Sequence, residues 1–250
     1  MSEKFCLIID SGIGGLTTLY SIREVLPTLN CIYYADKAFM PYGSKSASMV
    51  EGRIISIIEK FSAYSLCAIV IACNTASAVS KTALRSHYDI PIICIEPAIA
   101  LATTTNKKVM VLATPLTSRS SMFRELLAGY TSEFVVESLK DLATHIEKWL
   151  YDNSIADYGY ALHILDSALK KNCDAIVLGC THYVFLKDEI RKRTGKDVFD
   201  GNSGLARQLA RTITTTTSCD PKLLFYSSVK EGEVEDLKLR QIYFAQKKRQ

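Results

Sequence analysis

Cys67-Ala-Ile-Val-Ile-Ala-Cys-Asn-Thr75 is the stretch whose reading decides the fold. Its middle is a short, continuous run of apolar and β-branched residues, the pattern of a strand buried on both faces of a parallel sheet. The run stops at Cys73-Asn-Thr75, and a helix-compatible stretch, Ala76-Ser-Ala-Val-Ser-Lys-Thr-Ala-Leu-Arg85, follows at once. In an open α/β sheet, ligands bind at such strand-to-helix turns. A thiol, an amide and a hydroxyl are therefore expected together at a site. Further along, Asp174-Ala-Ile-Val-Leu-Gly-Cys-Thr-His182 repeats the arrangement. Aligned on Cys73 and Cys180, the two stretches share Ala-Ile-Val and the thiol. Short apolar strands resemble one another by chance, and cysteines are commonly buried as small hydrophobes, so one such stretch carries no weight. Two of them, each ending in a thiol beside a hydroxyl residue, predict paired strand-end sites.

Working outward, Phe5-Cys-Leu-Ile-Ile9 reads as a first buried strand, and Asp10-Ser-Gly-Ile-Gly-Gly15 as the loop after it. The glycine spacing is not that of a dinucleotide fingerprint. It lets backbone approach a ligand closely, and the helix from Leu16 to about Leu26, stopped by Pro27, offers its first amides to an anion. Asp10 could balance a cation or simply cap that helix, and this stretch leaves both roles open. Cys31-Ile-Tyr-Tyr-Ala35 is a second strand, and Pro41-Tyr-Gly-Ser44 reads as an exposed turn carrying a phenol and a hydroxyl. A helix around 49–61 leads into the Cys73 strand. Pro91-Ile-Ile-Cys-Ile95 is a fourth strand, broken by Glu96-Pro97, where a crossover between domains is expected.

The second half restarts the pattern with the strand Lys108-Val-Met-Val-Leu-Ala113 and the hydroxyl-rich loop from Thr114 to Ser120. A short strand at 134–136, helices near 141–151 and 155–171, the Cys180 strand and a helix near 185–193 follow. Asp10 and Cys73 are 63 positions apart, and Thr114 and Cys180 are 66 apart. That layout predicts an internal duplication. The fold class expected is α/β: two similar three-layer αβα domains with mostly parallel sheets, related by a pseudo-two-fold, with the active site in the cleft between them. Residues 1–96 with 206–250 form the first domain and 97–205 the second. The tail is expected to run as a helix to about 214, a strand at 223–227 and a helix at 233–245.

Composition excludes several classes. At 48% hydrophobic and 22% charged residues, the chain can bury a real core. Thirty basic against 26 acidic residues leave a net charge of +4, too small and dispersed to argue for nucleic acid. The basic end at 247–249 reads as a solvated tail. Met1-Ser-Glu-Lys4 shows no charged-then-apolar leader, and no apolar run approaches the ~20 residues a bilayer span needs. A cytoplasmic protein without membrane contact is the expectation. Eight cysteines include no Cys-x-x-Cys pair, so neither a structural zinc site nor a disulfide scaffold is predicted. Cys6, Cys31, Cys94 and Cys173 read as small core hydrophobes.

If two related units face each other, their strand-end thiols face each other across a cleft. A thiolate is a competent base near neutral pH when its pKa is lowered from ~8.5. A thiolate and a thiol on opposite sides of one carbon can remove a proton from one face and return one to the other, which inverts a stereocentre. Paired thiols used for redox work would instead sit a few residues apart.

Over nearly its full length, the chain resembles the glutamate racemases of the cofactor-independent aspartate/glutamate racemase superfamily. The resemblance is carried by Ile9-Asp-Ser-Gly-Ile-Gly-Gly15, Pro41-Tyr-Gly-Ser44, Ala72-Cys-Asn-Thr-Ala-Ser77, Ile95-Glu-Pro-Ala98 and Leu178-Gly-Cys-Thr-His-Tyr183. It implies two-base racemisation of glutamate without pyridoxal phosphate, metal or any other cofactor, yielding D-glutamate for the bacterial cell wall. It assigns Cys73 and Cys180 as the catalytic thiols, with Asp10 and His182 assisting proton transfer. The substrate contacts it implies are Asp10 and Ser11, Tyr42 and Gly43, Asn74 and Thr75, and Thr181 and His182. The partner expected is small-molecule glutamate, with no nucleic acid and no membrane, and a homodimer is the assembly carried forward. Read without the resemblance, His182 would be a structural histidine.

Two departures stand out. Leu116 occupies a place where the family usually has glycine. The family's central Cys-Pro-rich stretch, which ends in a glutamate, is replaced by Leu139-Lys-Asp-Leu-Ala-Thr-His-Ile-Glu147, and Glu147 is not assigned the glutamate's role. The alternatives are an aspartate or hydantoin racemase of the same superfamily, or a weakly active homologue retained for binding or regulation. The Asn-Thr and Thr-His pairs beside the cysteines favour glutamate.

Overall fold

A computed structural model describes residues 3–214, 220–229 and 232–247. The basic end beyond residue 247 lies outside them. The described strands form two sheets. The first contains β1 (Phe5–Asp10), β2 (Asn30–Ala35), β3 (Leu66–Ile71), β4 (Ile92–Cys94), β9 (Leu223–Val229) and β10 (Gly232–Glu235), in the order β10-β9-β2-β1-β3-β4. The second contains β5 (Lys108–Ala113), β6 (Glu133–Ser138), β7 (Ala175–Gly179) and β8 (Asp197–Asp200), in the order β6-β5-β7-β8. The order β2-β1-β3-β4 therefore recurs as β6-β5-β7-β8, and the duplication read from spacing is a duplication of topology. All pairings are parallel except that of β9 with β10.

Continuous apolar runs form the middle strands because helices cover both sheet faces. Every position of β1 and β2 is buried. Alternate side chains feed opposite cores: Cys6 and Ile8 enter one cluster, and Leu7 and Ile9 the other. The second sheet repeats this with Met110 and Leu112 against Val109 and Val111. Around the first sheet lie α1 (Leu16–Val25), α2 (Ala47–Lys60), α3 (Asn74–His87), α10 (Asn202–Thr212) and α11 (Leu237–Lys247). The second half adds α4 (Ile99–Ala102), α5 (Pro115–Arg119), α6 (Ser121–Ala128), α7 (Leu142–Tyr151), α8 (Ile155–Ala168) and α9 (Lys187–Thr194). Each sheet with its helices is a lobe. Leu205, Ala206 and Leu209 of α10 join the first lobe's core.

Two expectations are corrected. The tail does not enter a helix at Glu233, because Gly232–Glu235 pairs antiparallel with β9. The helix starts after Asp236, whose carboxylate accepts the backbone N–H groups of Lys238 and Leu239 at 3.1 Å each. An acidic run that looks like a first helical turn is a strand followed by its cap. The helix near 185–193 is likewise two pieces, a tight 3-10 segment at Thr181–Leu186 and then α9, closed by Gly195 at φ 64°.

Candidate active site

The carboxyl ends of β1, β3, β5 and β7 meet at the seam between the lobes and deliver Asp10, Cys73, Thr114 and Cys180. Cys73 is the residue that caps α3, and Cys180 opens the 3-10 segment. Both thiols are 6% exposed, and they line one cavity of about 40 Å³. Ser11, Tyr42, Gly43, Thr75, Thr114 and His182 form part of its wall. Asp10, Asn74 and Thr181 are buried just behind it. All ten residues expected at the site from the sequence therefore cluster here. Asn74 lines a second, smaller cavity with Ser77 and Thr117, and its amide Nδ2 is buried without a hydrogen-bond partner.

Asp10 does not act as a plain helix cap. Its Oδ1 accepts the Gly12 N–H at 2.8 Å, and its Oδ2 accepts the Thr181 hydroxyl at 3.0 Å, from the other lobe. Burial raises its pKa, opposed by the His182 charge and these two hydrogen bonds. Cys73 lies 3.9 Å from the Ser11 hydroxyl. Burial, and then the Asp10 charge, push its pKa up to about 12, so it rests as a thiol.

Cys180 has different company. The His182 imidazole lines the same cavity beside it and meets Glu147 Oε2 at 2.9 Å through Nε2. Burial opposes a charge on His182, but its interactions with Cys180 and with the Glu147 carboxylate outweigh it. The histidine is held well above its ordinary range. One thiol is thus backed by a carboxylate and the other by an imidazolium.

Glu147 is the main residue that sequence reasoning missed. It sits on α7, is 7% exposed, and accepts the Ile13 N–H at 2.8 Å while holding His182. It ends the altered central stretch Leu139–Glu147, which contains no proline. The glycine loop fits against this group: a methyl at Gly12 would strike the Glu147 carboxylate, and one at Gly14 would lie 2.5 Å from both His182 Nδ1 and Thr181 Oγ1. A second miss is the hydroxyl cluster linking the lobes, in which Thr114 lies 2.9 Å from both Thr75 and Thr117. The 63- and 66-residue spacings were the available signal, since they pair Thr114 with Asp10. Leu116 packs into the first lobe's core, which gives the glycine replacement a use.

Tyr42 corrects another expectation. The turn's Ser44 is exposed as expected, but its phenol is not: Tyr42 is 1% exposed, and its hydroxyl donates to Asp36 Oδ2 at 2.8 Å. Arg53 grips the same carboxylate through Nε at 2.8 Å and Nη2 at 2.6 Å. Tyr42 therefore contributes its ring to the cavity and spends its hydroxyl on support. Lys140, Asp141, Ala143 and Thr144 of the altered stretch form part of the rim.

The seven described cysteines are all free thiols. Among the described residues, no helix is long and apolar enough to cross a membrane, and no three His, Cys, Asp or Glu side chains are placed to hold a metal.

Comparison with known proteins bears on this arrangement. A glutamate racemase of Halothermothrix orenii is 36% identical over 237 residues, which cover 90% of this chain and 93% of the relative. The crystal structure of Escherichia coli glutamate racemase, in complex with L-glutamate and the activator UDP-MurNAc-Ala, superposes with a TM-score of 0.84 at 28% identity. That match covers 98% of this chain and 95% of the other. The Francisella tularensis glutamate racemase in complex with D-glutamate gives 0.77 at 27% identity, covering 98% and 94%. The family profile for Asp/Glu/hydantoin racemases matches residues 19–209. With both thiols on equivalent strand ends across one cavity, the chain belongs to the Asp/Glu/hydantoin racemase family.

Proposed function

We propose that the protein is a glutamate racemase that interconverts L- and D-glutamate by proton transfer at the α-carbon, without a cofactor, and supplies D-glutamate for peptidoglycan. The observation that carries this reading is the pair of buried thiols, Cys73 and Cys180, lining one small cavity from opposite lobes. In one direction the Cys73 thiolate takes the α-proton and becomes a thiol. The Cys180 thiol then gives its proton to the opposite face of the carbanion and becomes a thiolate. The reverse direction exchanges the roles. Asp10 and His182 shuttle charge on the two sides, and the substrate ammonium beside Asp10 lowers the cost of ionising Cys73. Hydroxyls, amides and backbone N–H groups from Ser11, Tyr42, Gly43, Asn74, Thr75, Thr181 and His182 hold the two carboxylates and leave the α-carbon free between the sulfurs.

The proposed domains are residues 1–96 with 206–250 and residues 97–205, a boundary that falls inside α10, whose Leu205 packs in the first lobe's core. Free thiols favour a reducing cytoplasm as the place of work. A homodimer is the assembly we carry, and sedimentation of the purified chain tests it.

The decisive experiment follows early product from L-glutamate in deuterated water. Two bases predict deuterium in the new D-glutamate while the remaining L-glutamate keeps its protium. Early loss of protium from unreacted L-glutamate would overturn the opposed-thiol scheme. Aspartate turnover at a rate comparable to glutamate would move the assignment to a broader racemase. No turnover of either would leave a binding or regulatory homologue.

A further inference from the structure

The site is narrow: its two thiols are almost fully buried around a cavity of about 40 Å³. That volume holds a few water molecules. A five-carbon dicarboxylate can reach the thiols only if the lobes part, and every hydrogen bond across the seam must then break. Among the described residues, the seam bonds include Asp10 to Thr181, Thr75 to Thr114 and Thr117, Glu147 to the Ile13 N–H, and, last, the Tyr151 hydroxyl to Asp236 Oδ2 at 2.9 Å. The others involve residues at or beside the cavity. The last lies outside it.

Tyr151 ends α7, one turn beyond Glu147 on the same helix face. Although α7 belongs to the second lobe, Leu150 and Tyr151 pack against the first lobe's core. The Tyr151 ring receives the ammonium of Lys37, from the segment after β2, and that of Lys238, from α11, whose Nζ lies 4.4 Å from the ring centroid. Asp236 is buried and already fixed by capping α11, so it presents a rigid acceptor. The first lobe thus grips the end of α7 from two sides.

We infer that Tyr151 is a positioning residue whose hydrogen bond to Asp236 latches the lobes closed, and so holds Glu147 and His182 in their working places without touching substrate. The kinetic part of this inference rests on the racemase reading, but the latch itself does not.

Two variants test it. Tyr151→Phe removes the hydroxyl and keeps the ring. In the parent and the variant, the alkylation rate of each cysteine by iodoacetamide is followed by mass spectrometry of its peptide. Cys73 and Cys180 react only through opening, so both should modify about tenfold faster once a hydrogen bond to a charged group is lost. Cys6 and Cys31, buried in the first sheet, report global unfolding and should keep their parental rates. Glutamate should enter and leave the site about tenfold faster in stopped-flow binding while its Kd stays near the parent's, because entry and exit both pass through the open form. In an Asp236→Ala background, Tyr151→Phe should add nothing further.

Unchanged alkylation at Cys73 and Cys180 would overturn the latch. So would parallel acceleration at Cys6 and Cys31, or a fall in kcat at constant KM, since either marks a merely structural role. Failure of the racemase reading would look different: the parent itself would exchange no α-proton, while the alkylation readings would still decide the latch.

Discussion

The two sulfurs are alike in position and unlike in electrostatics. Each is needed because one base reaches only one face of the α-carbon. Cys73→Ala and Cys180→Ala should each abolish racemisation and leave thermal unfolding close to the parent's, as measured by circular dichroism of both variants. Glu147 makes a finer prediction. Its carboxylate helps to hold His182 well above the ordinary histidine value. Glu147→Gln keeps a partner for the Ile13 N–H and removes the charge, so the proton affinity of His182 drops. The alkaline limb of the pH–kcat/KM profile should then move to lower pH, with about tenfold lower kcat/KM for a lost hydrogen bond to a charged group. A limb that stays in place would detach Glu147 from the reaction. Stability follows the same sign. The folded pKa of His182 is raised, so its stabilisation is complete below the unfolded value of ~6.5 and fades as pH climbs through the raised one.

At the scale of elements, the glycine loop 11–15 acts as a gauge of lobe separation. The Cα atoms of Gly12 and Gly14 lie where side chains of the other lobe arrive, so a single methyl at either is enough to prop the seam open. Gly14→Ala should cost ~1–3 kcal/mol of closed-state fit, seen as a fall of about tenfold or more in kcat/KM with little change in unfolding. Gly204→Ala is the control: nothing lies within 4 Å of its added methyl, and on the exposed face of α10 it should stabilise by ~0.5–1 kcal/mol. Loss of activity in the control, or none at Gly14, would remove the gauge. Elements were the level at which the sequence could be read best. Runs such as Cys67–Ile71 and Asp174–Leu178 announce buried strands by chemistry alone, and their thiols came with them. Glu147 and Thr114 did not announce themselves, because their roles arise only when two lobes distant in sequence meet. Tyr42 misled for the same reason: Asp36 and Arg53, which bury it, are brought to it by folding.

At the scale of the molecule, closure over substrate links ligand binding to stability. Glutamate at a hundredfold excess over its Kd should stabilise the fold by ~2.7 kcal/mol, and both enantiomers should do so, since the two lobes offer equivalent strand ends. L-Aspartate at the same concentration should give a clearly smaller shift in unfolding temperature, because one missing methylene costs ~1–3 kcal/mol even before its distal carboxylate is misplaced. Equal shifts for the two acids would locate specificity outside the cavity.

The unlike neighbours of the two thiols, Asp10 beside Cys73 and His182 beside Cys180, have a consequence that no variant can escape. L- and D-glutamate have identical free energies in water, so detailed balance fixes the ratio of kcat/KM in the two directions at unity for any catalyst of their exchange. The carboxylate on one flank and the imidazolium on the other can only shift, within each direction, how far turnover is traded against saturation. Replacing Asp10 must therefore depress both directions by the same factor in kcat/KM, even though it touches one lobe. Turnover numbers alone will give the molecule a handedness, and dividing each by its own KM will erase it.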